Sequence, residues 1–112
     1  MTSEISRYGV VLVTAASQTE AEQIARSLVE AKLAACVNML PIRSIYRWQG
    51  EICQDEEWQL VIKTRLQHFP DLEAKIRSIH SYETPEIIAL PILAGSQPYL
   101  QWIDAVCIGE NS

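Results

Sequence analysis

Hydrophobic positions change period several times along the chain, and each change marks an element. Tyr8 to Thr14, Tyr-Gly-Val-Val-Leu-Val-Thr, is a nearly continuous apolar and β-branched run. That pattern belongs to a strand covered on both faces in the middle of a sheet. Ser17 and Thr19 are each followed three residues later by a glutamate, Glu20 and Glu22, so either can supply a helix-starting capping box. Ala21, Ile24, Ala25, Leu28, Val29 and Leu33 then recur at helical spacing, which predicts one face of a helix of about four turns.

From Cys36 to Thr64 the chain reads as strand nearly throughout, broken by a turn signal at Gln49-Gly50. If those two residues form a tight hairpin loop, paired positions sum to 99, so that Trp48 faces Glu51, Tyr46 faces Cys53 and Cys36 faces Lys63. Paired residues share a face. One face then carries Val37, Met39, Ile45, Ile52, Trp58, Leu60 and Ile62 and is expected to pack under helices. The other carries Leu40, Ile42, Tyr46, Trp48, Cys53, Asp55, Glu57, Val61 and Lys63, among others. Pro41 has no N–H for a ladder, and is expected to mark a bulge beyond which the register can slip by one.

Pro70, Asp71 and Glu73 suit the first turn of a second helix, with Phe69, Leu72, Ile76 and Ile79 as its apolar stripe. Glu86 to Leu93 is a further strand. Gly95-Ser96 breaks the chain, and Ser96 or Gln97 starts a last helix through Tyr99, Leu100, Trp102, Ile103 and Val106. Gly109 to Ser112 is expected to fray. The order β-α-β-β-α-β plus a terminal helix predicts an α+β, ferredoxin-like sandwich with a long central hairpin. Right-handed crossovers put both crossover helices on one face of an antiparallel sheet and leave the other face open.

Composition narrows the class. A chain of 112 residues, 48% apolar and 21% charged, fits one globular domain, with its core over about residues 8–107. The net charge of −5 and scattered Lys and Arg argue against nucleic acid as a partner. No apolar run approaches the ~20 residues of a membrane span. The start lacks a basic stretch and apolar h-region. Three cysteines without close spacing, Cys36, Cys53 and Cys107, fit a reducing compartment. Together these predict a cytoplasmic protein.

Size also predicts self-association. Each hairpin arm of up to about 14 residues would extend on the order of 45 Å. A globule of this length is only roughly 35 Å across. The hairpin must project or bend, and an unprotected ribbon bearing Tyr46 and Trp48 is an association hazard.

For chemistry, the segment His80-Ser81-Tyr82-Glu83-Thr84-Pro85-Glu86 concentrates four hydrogen-bonding side chains, His80, Tyr82, Glu83 and Glu86, in seven residues. No HExxH, CxxC, EF-hand, Walker loop, GxGxxG or nucleophile elbow occurs. Glu83 and Glu86 could form an acid/base pair, but structural roles are favoured, with Thr84 held extended by the proline after it. Cys36, in Ala-Ala-Cys-Val, reads first as a small buried hydrophobe. A cleft between this segment and a neighbouring subunit's hairpin would suit a small ligand or ion.

Four blocks carry a resemblance: Ala34-Ala35-Cys36-Val37-Asn38, Ser44-Ile45-Tyr46-Arg47-Trp48-Gln49-Gly50-Glu51-Ile52, Val61-Ile62-Lys63-Thr64 and His80 to Ile87. In order, from about Val10 to Val106, the chain resembles the CutA family, the divalent-cation-tolerance proteins. That resemblance implies a ferredoxin-like subunit in a PII-like homotrimer, with sheets facing inward. It implies a cleft lined or supported by Cys36, Tyr46, Trp48, Lys63, His80, Tyr82, Glu83 and Glu86. It also implies a divalent cation such as copper as a ligand, not needed for folding, with Cys36 and His80 as the thiol and imidazole suited to it.

These readings converge on a non-enzymatic trimeric protein that binds a divalent metal or small ligand between subunits, in metal-ion response or PII-like signalling. Two alternatives stand beside it. One is a low-turnover enzyme using Lys63, His80, Glu83 and Glu86. The other is a structural scaffold for a protein partner.

Overall fold

The computed structural model describes residues 7–107; the fraying expected at Gly109 to Ser112 lies outside them. The elements in chain order are β1 (Tyr8–Ala15), α1 (Gln18–Glu30), β2 (Cys36–Trp48), β3 (Glu51–Arg65), a 3-10 turn (Leu66–His68), α2 (Phe69–Ile79), β4 (Ile87–Pro91) and α3 (Gln97–Val106). The strands form one sheet in the order β2-β3-β1-β4, with every neighbouring pair antiparallel. This is the ferredoxin-like arrangement predicted from the element order.

β1 is central as predicted, but it is covered on one face only: Val10 and Leu12 on the open face are half-buried. Val11, Val13 and Ala15 are fully buried and share a face with Leu60 and Ile62 of β3. Ala21, Ile24 and Leu28 of α1 and Leu72 and Ile76 of α2 close over that face to make the core. Of the two candidate caps for α1, Ser17 is used: its Oγ accepts the Glu20 N–H at 3.1 Å. The Glu20 carboxylate turns back to Ala16 N, at 2.9 Å, rather than to the cap residue itself. The helix stops at Glu30, short of Leu33, because Lys32 adopts a left-handed φ of 62°. Leu33 is buried just beyond the helix end.

The β2–β3 register matches the predicted pairing from Cys36↔Lys63 through Trp48↔Glu51. Gln49 and Gly50, with φ of 51° and 80°, make the tight turn. The expected bulge at Pro41 does not occur, since Pro41 pairs in register with Trp58. β2 is an edge strand, where a proline can turn its missing donor away from the ladder. β4 is shorter than predicted, and ends at Pro91 rather than at Leu93.

Face assignment needs one correction. Ile45 and Ile52 are each 71% exposed, so they do not pack under helices, and Met39 lies partly open at the margin of α1. The hairpin outruns the helical layer, which reaches only the proximal half of the sheet. The principal extents of 44 × 33 × 23 Å fit that projection. On the face away from α1 and α2, Leu40, Tyr46, Trp48, Ile88 and Leu90 are all exposed. At one end of the sheet, α3 is tied down by Asp104, which accepts from the Tyr8 hydroxyl at 2.6 Å and pairs with buried Arg65 at 3.2 Å.

Candidate functional site

The connector between α2 and β4 meets the distal part of this chain's own hairpin and leaves a groove of about 660 Å³ between them. The hairpin contributes Arg43, Ser44, Ile45, Tyr46, Trp48 and Glu57, and the connector contributes Tyr82, Glu83, Thr84 and Glu86. Thr14, at the end of β1, closes the floor. The sequence assigned the facing hairpin to a neighbouring subunit; within this protomer the same chain supplies one.

Tyr82 is the post that holds the connector. Its hydroxyl donates to Glu57 Oε2 at 2.6 Å, and its N–H donates to His80 Nδ1 at 3.0 Å. Burial pushes the Tyr82 phenol well above its ordinary range, and the Glu57 carboxylate adds to that. Across the hairpin, the Tyr46 hydroxyl donates to Asp55, which raises the Tyr46 phenol to about 12. Burial also raises the Glu86 carboxyl, with repulsion from Glu57 second. The groove is therefore acidic.

His80 stands behind this wall rather than in it. Its side chain is 0% exposed, and its Nε2 lies 2.7 Å from the Thr14 carbonyl. With Nε2 donating to Thr14, Nδ1 accepts from the Tyr82 N–H, and Glu20 Oε2 lies 3.6 Å from that same Nδ1. Glu20 supports the same turn from α1, accepting from Ser81 N at 2.7 Å and Ser81 Oγ at 3.1 Å. Burial works against the Glu20 charge, but hydrogen bonds from Ala16 and Ser81 outweigh it and lower the carboxyl below its usual range.

Of the residues singled out in the sequence, Tyr46, Trp48, Tyr82, Glu83 and Glu86 come together in the groove, and His80 supports it. Cys36 and Lys63 do not join them. They pair with each other four β1 positions away from Thr14, on the order of 13 Å along the strand. There Lys63 Nζ and the Cys36 thiol both donate to Asn38 Oδ1, and Tyr99 of α3 approaches the thiol. Cys36 is half-buried rather than a core residue. Among the described residues, no group of three or more His, Cys, Asp or Glu side chains converges as a metal site requires. The engaged ring nitrogens of His80 offer a metal no lone pair in this arrangement. Thr14, Arg43, Ser44, Ile45, Glu57 and Thr84 were missed as groove residues. The hairpin register already put Glu57 on the face of Tyr46 and Trp48, so pairing was the signal that could have found it.

Comparison with known proteins gives concordant results. The family model for CutA1 divalent ion tolerance protein matches residues 9–106. A divalent-cation tolerance protein CutA from Thermus thermophilus is 50% identical over 95 residues, covering 84% of this chain and 92% of that protein. The crystal structure of CutA1 from the psychrotrophic bacterium Shewanella sp. SIB1 superposes with a TM-score of 0.91 at 39% identity, covering 95% of this chain and 100% of that one. The structure of a protein from Archaeoglobus fulgidus, described as a periplasmic divalent cation tolerance protein, gives 0.87 at 42% identity, covering 88% and 97%.

Proposed function

The chain belongs to the CutA1 divalent ion tolerance family, and on that premise we propose that it is a homotrimeric, non-catalytic binding protein of the metal-ion response. Its ligand site is the groove between the α2–β4 connector and the hairpin. The observation that carries this reading is the groove itself. A volume of about 660 Å³ lies within the range of small-molecule sites, and its wall is braced by Tyr82, Glu57 and a buried His80.

Self-association is supported by the uncovered sheet face, where Leu40, Ile88 and Leu90 are 41%, 48% and 48% exposed. Both edge strands are also free to pair. PII-like trimers would bury that face and bring three grooves to the subunit boundaries. A cytoplasmic location is supported by the three free thiols. Among the described residues no helix is long and apolar enough to cross a membrane. Copper or another divalent cation, the ligand suggested by the resemblance, would need donors from more than one subunit, and His80 would have to leave its Tyr82 and Thr14 hydrogen bonds before Cys36 and His80 could serve as thiol and imidazole. Catalysis is disfavoured because the hydroxyl–carboxylate pair in the groove's lining, Tyr82–Glu57, holds its phenol well above the ordinary range, the opposite of an activated nucleophile.

The test joins mass to binding. Light scattering at micromolar concentration is expected to give three times the chain mass, and titration calorimetry a saturable ligand lost on Tyr82→Ala. A stable monomer, or no binding tighter than millimolar for copper, zinc, nucleotides, amines and small anions, would overturn the proposal.

A further inference from the structure

The charge and surface of the groove select among the ligands it could take. Three carboxylates, Glu57, Glu83 and Glu86, face one guanidinium, Arg43. Oxyanions such as nucleotide phosphates would therefore meet a repulsive field. A bare divalent cation fits no better. Such an ion needs several oxygens closed to within about 2.6 Å of it, and the described carboxylates form no such set.

Glu57 supplies an independent pointer. It is only 8% exposed, yet no cationic side chain among the described residues pairs with it. One of its oxygens takes the Tyr82 hydroxyl, and the other has no hydrogen-bond partner among the described residues. That oxygen is still reached by water in the open groove, so a cation entering it would meet a carboxylate with a free acceptor and no competing counter-charge. Around it stand three aromatic rings, Tyr46, Trp48 and Tyr82, whose faces attract a weakly hydrated positive group.

Resting on the groove as the ligand site, we propose that its ligand is a small organic cation, an alkylammonium group on an apolar body. The ammonium is received by Glu57 and Glu86, and the body lies against Trp48 and Tyr46. The dispersed carboxylates suit this ligand because its charge and its chain can spread across the whole cavity.

The probes are spermidine, choline, ATP and copper sulfate, each titrated calorimetrically into the full chain. Spermidine or choline is expected to bind saturably, and to weaken as salt rises. Glu86→Gln and Trp48→Ala, both solvent-facing within the protomer, are each expected to weaken binding about tenfold while the mass by light scattering stays that of the parent protein. Glu30→Gln, on α1 and outside the groove, is expected to leave it unchanged. If ATP or copper binds with that same sensitivity while both amines fail, the organic-cation assignment is overturned and the groove survives as the site. If amine binding responds equally to Glu30→Gln, it is diffuse attraction to an acidic protein and the assignment is overturned. If no probe binds, the groove itself is overturned as a ligand site.

Discussion

The hydroxyl of Tyr82 donates to Oε2 of Glu57 across 2.6 Å, which fastens the α2–β4 connector to an inner strand of the sheet. That bond ties the connector side of the groove to the sheet and partners one of the two oxygens of the Glu57 carboxylate. Tyr82→Phe removes the donor and leaves the carboxylate more exposed to its own desolvation, so a loss of about 1–3 kcal/mol is expected in urea denaturation. The pH dependence has a definite sign. Folding favours the neutral phenol, so this contribution is complete below about pH 10 and is lost as pH rises beyond it. The gap between the parent protein and Tyr82→Phe should therefore shrink above pH 10.

His80 carries the same wall from behind. Truncating it in His80→Ala leaves the Tyr82 N–H and the Thr14 carbonyl without their partner and opens a void where a fully buried ring stood. A cost of about 2–4 kcal/mol is expected. Denaturation midpoints with and without copper check it: a purely bracing role lowers both equally.

Glu20 makes stability depend on acid. Its carboxylate accepts from Ala16 and twice from Ser81, and its folded value lies below the ordinary 4.5. Stability from a lowered carboxyl is present above the unfolded value and disappears as pH falls through the folded one. Glu20→Gln should cost about 1–2 kcal/mol at pH 7, and the difference should close as pH falls below 4.5 and through the folded value, as read from melting temperature against pH.

Much of this architecture is legible in the chain because it is local. Gln49-Gly50 sets the hairpin loop, the loop sets the register, and the register puts Tyr46, Trp48 and Glu57 on one face. What was not legible is how far the helical layer extends. Ile45 and Ile52 alternate as core residues do, yet the helices end before reaching them. Pro41 misled for a related reason: its effect depends on whether β2 is an edge strand, which is a property of the whole sheet. His80 looked like a ligand because its type suits one. Its partners, Thr14 and Tyr82, include a carbonyl 66 residues away that no spacing rule brings to it.

Gly9 marks a close approach inside the sheet. A Cβ there would meet Leu66 Cδ2 at 2.2 Å and the Leu90 carbonyl at 3.0 Å. Gly9→Ala forces the Leu66 side chain aside between β1 and β4, and a loss of about 1–3 kcal/mol is expected. Gly50→Ala meets nothing within 4 Å, but must hold a φ of +80°. The left-handed backbone alone is expected to cost about 1–2 kcal/mol. Thermal melts of the two variants separate crowding from backbone strain: restoring space with Leu66→Ala should relieve the Gly9 variant and leave the Gly50 variant unchanged.

Glu86 offers the opposite sign to Glu20. Burial raises its carboxyl and the Glu57 charge raises it further. An acid raised in the folded state gives up its proton more readily when unfolded. Stability therefore falls as pH climbs from about 4.5 through the folded value. At pH 7 the charged Glu86 is a net cost, and Glu86→Gln should stabilise the free protein. Glu86 is exposed, so water screens the repulsion and the gain is expected to stay below about 1 kcal/mol. As pH falls well below 4.5 both forms become neutral at this position and their melting temperatures should converge. Saturating spermidine should reverse the ranking at pH 7, since the parent carboxylate then has a cation to meet and glutamine does not. A Gln variant that melts lower than the parent without ligand would mean that Glu86 already has a counter-charge, supplied by a neighbouring subunit.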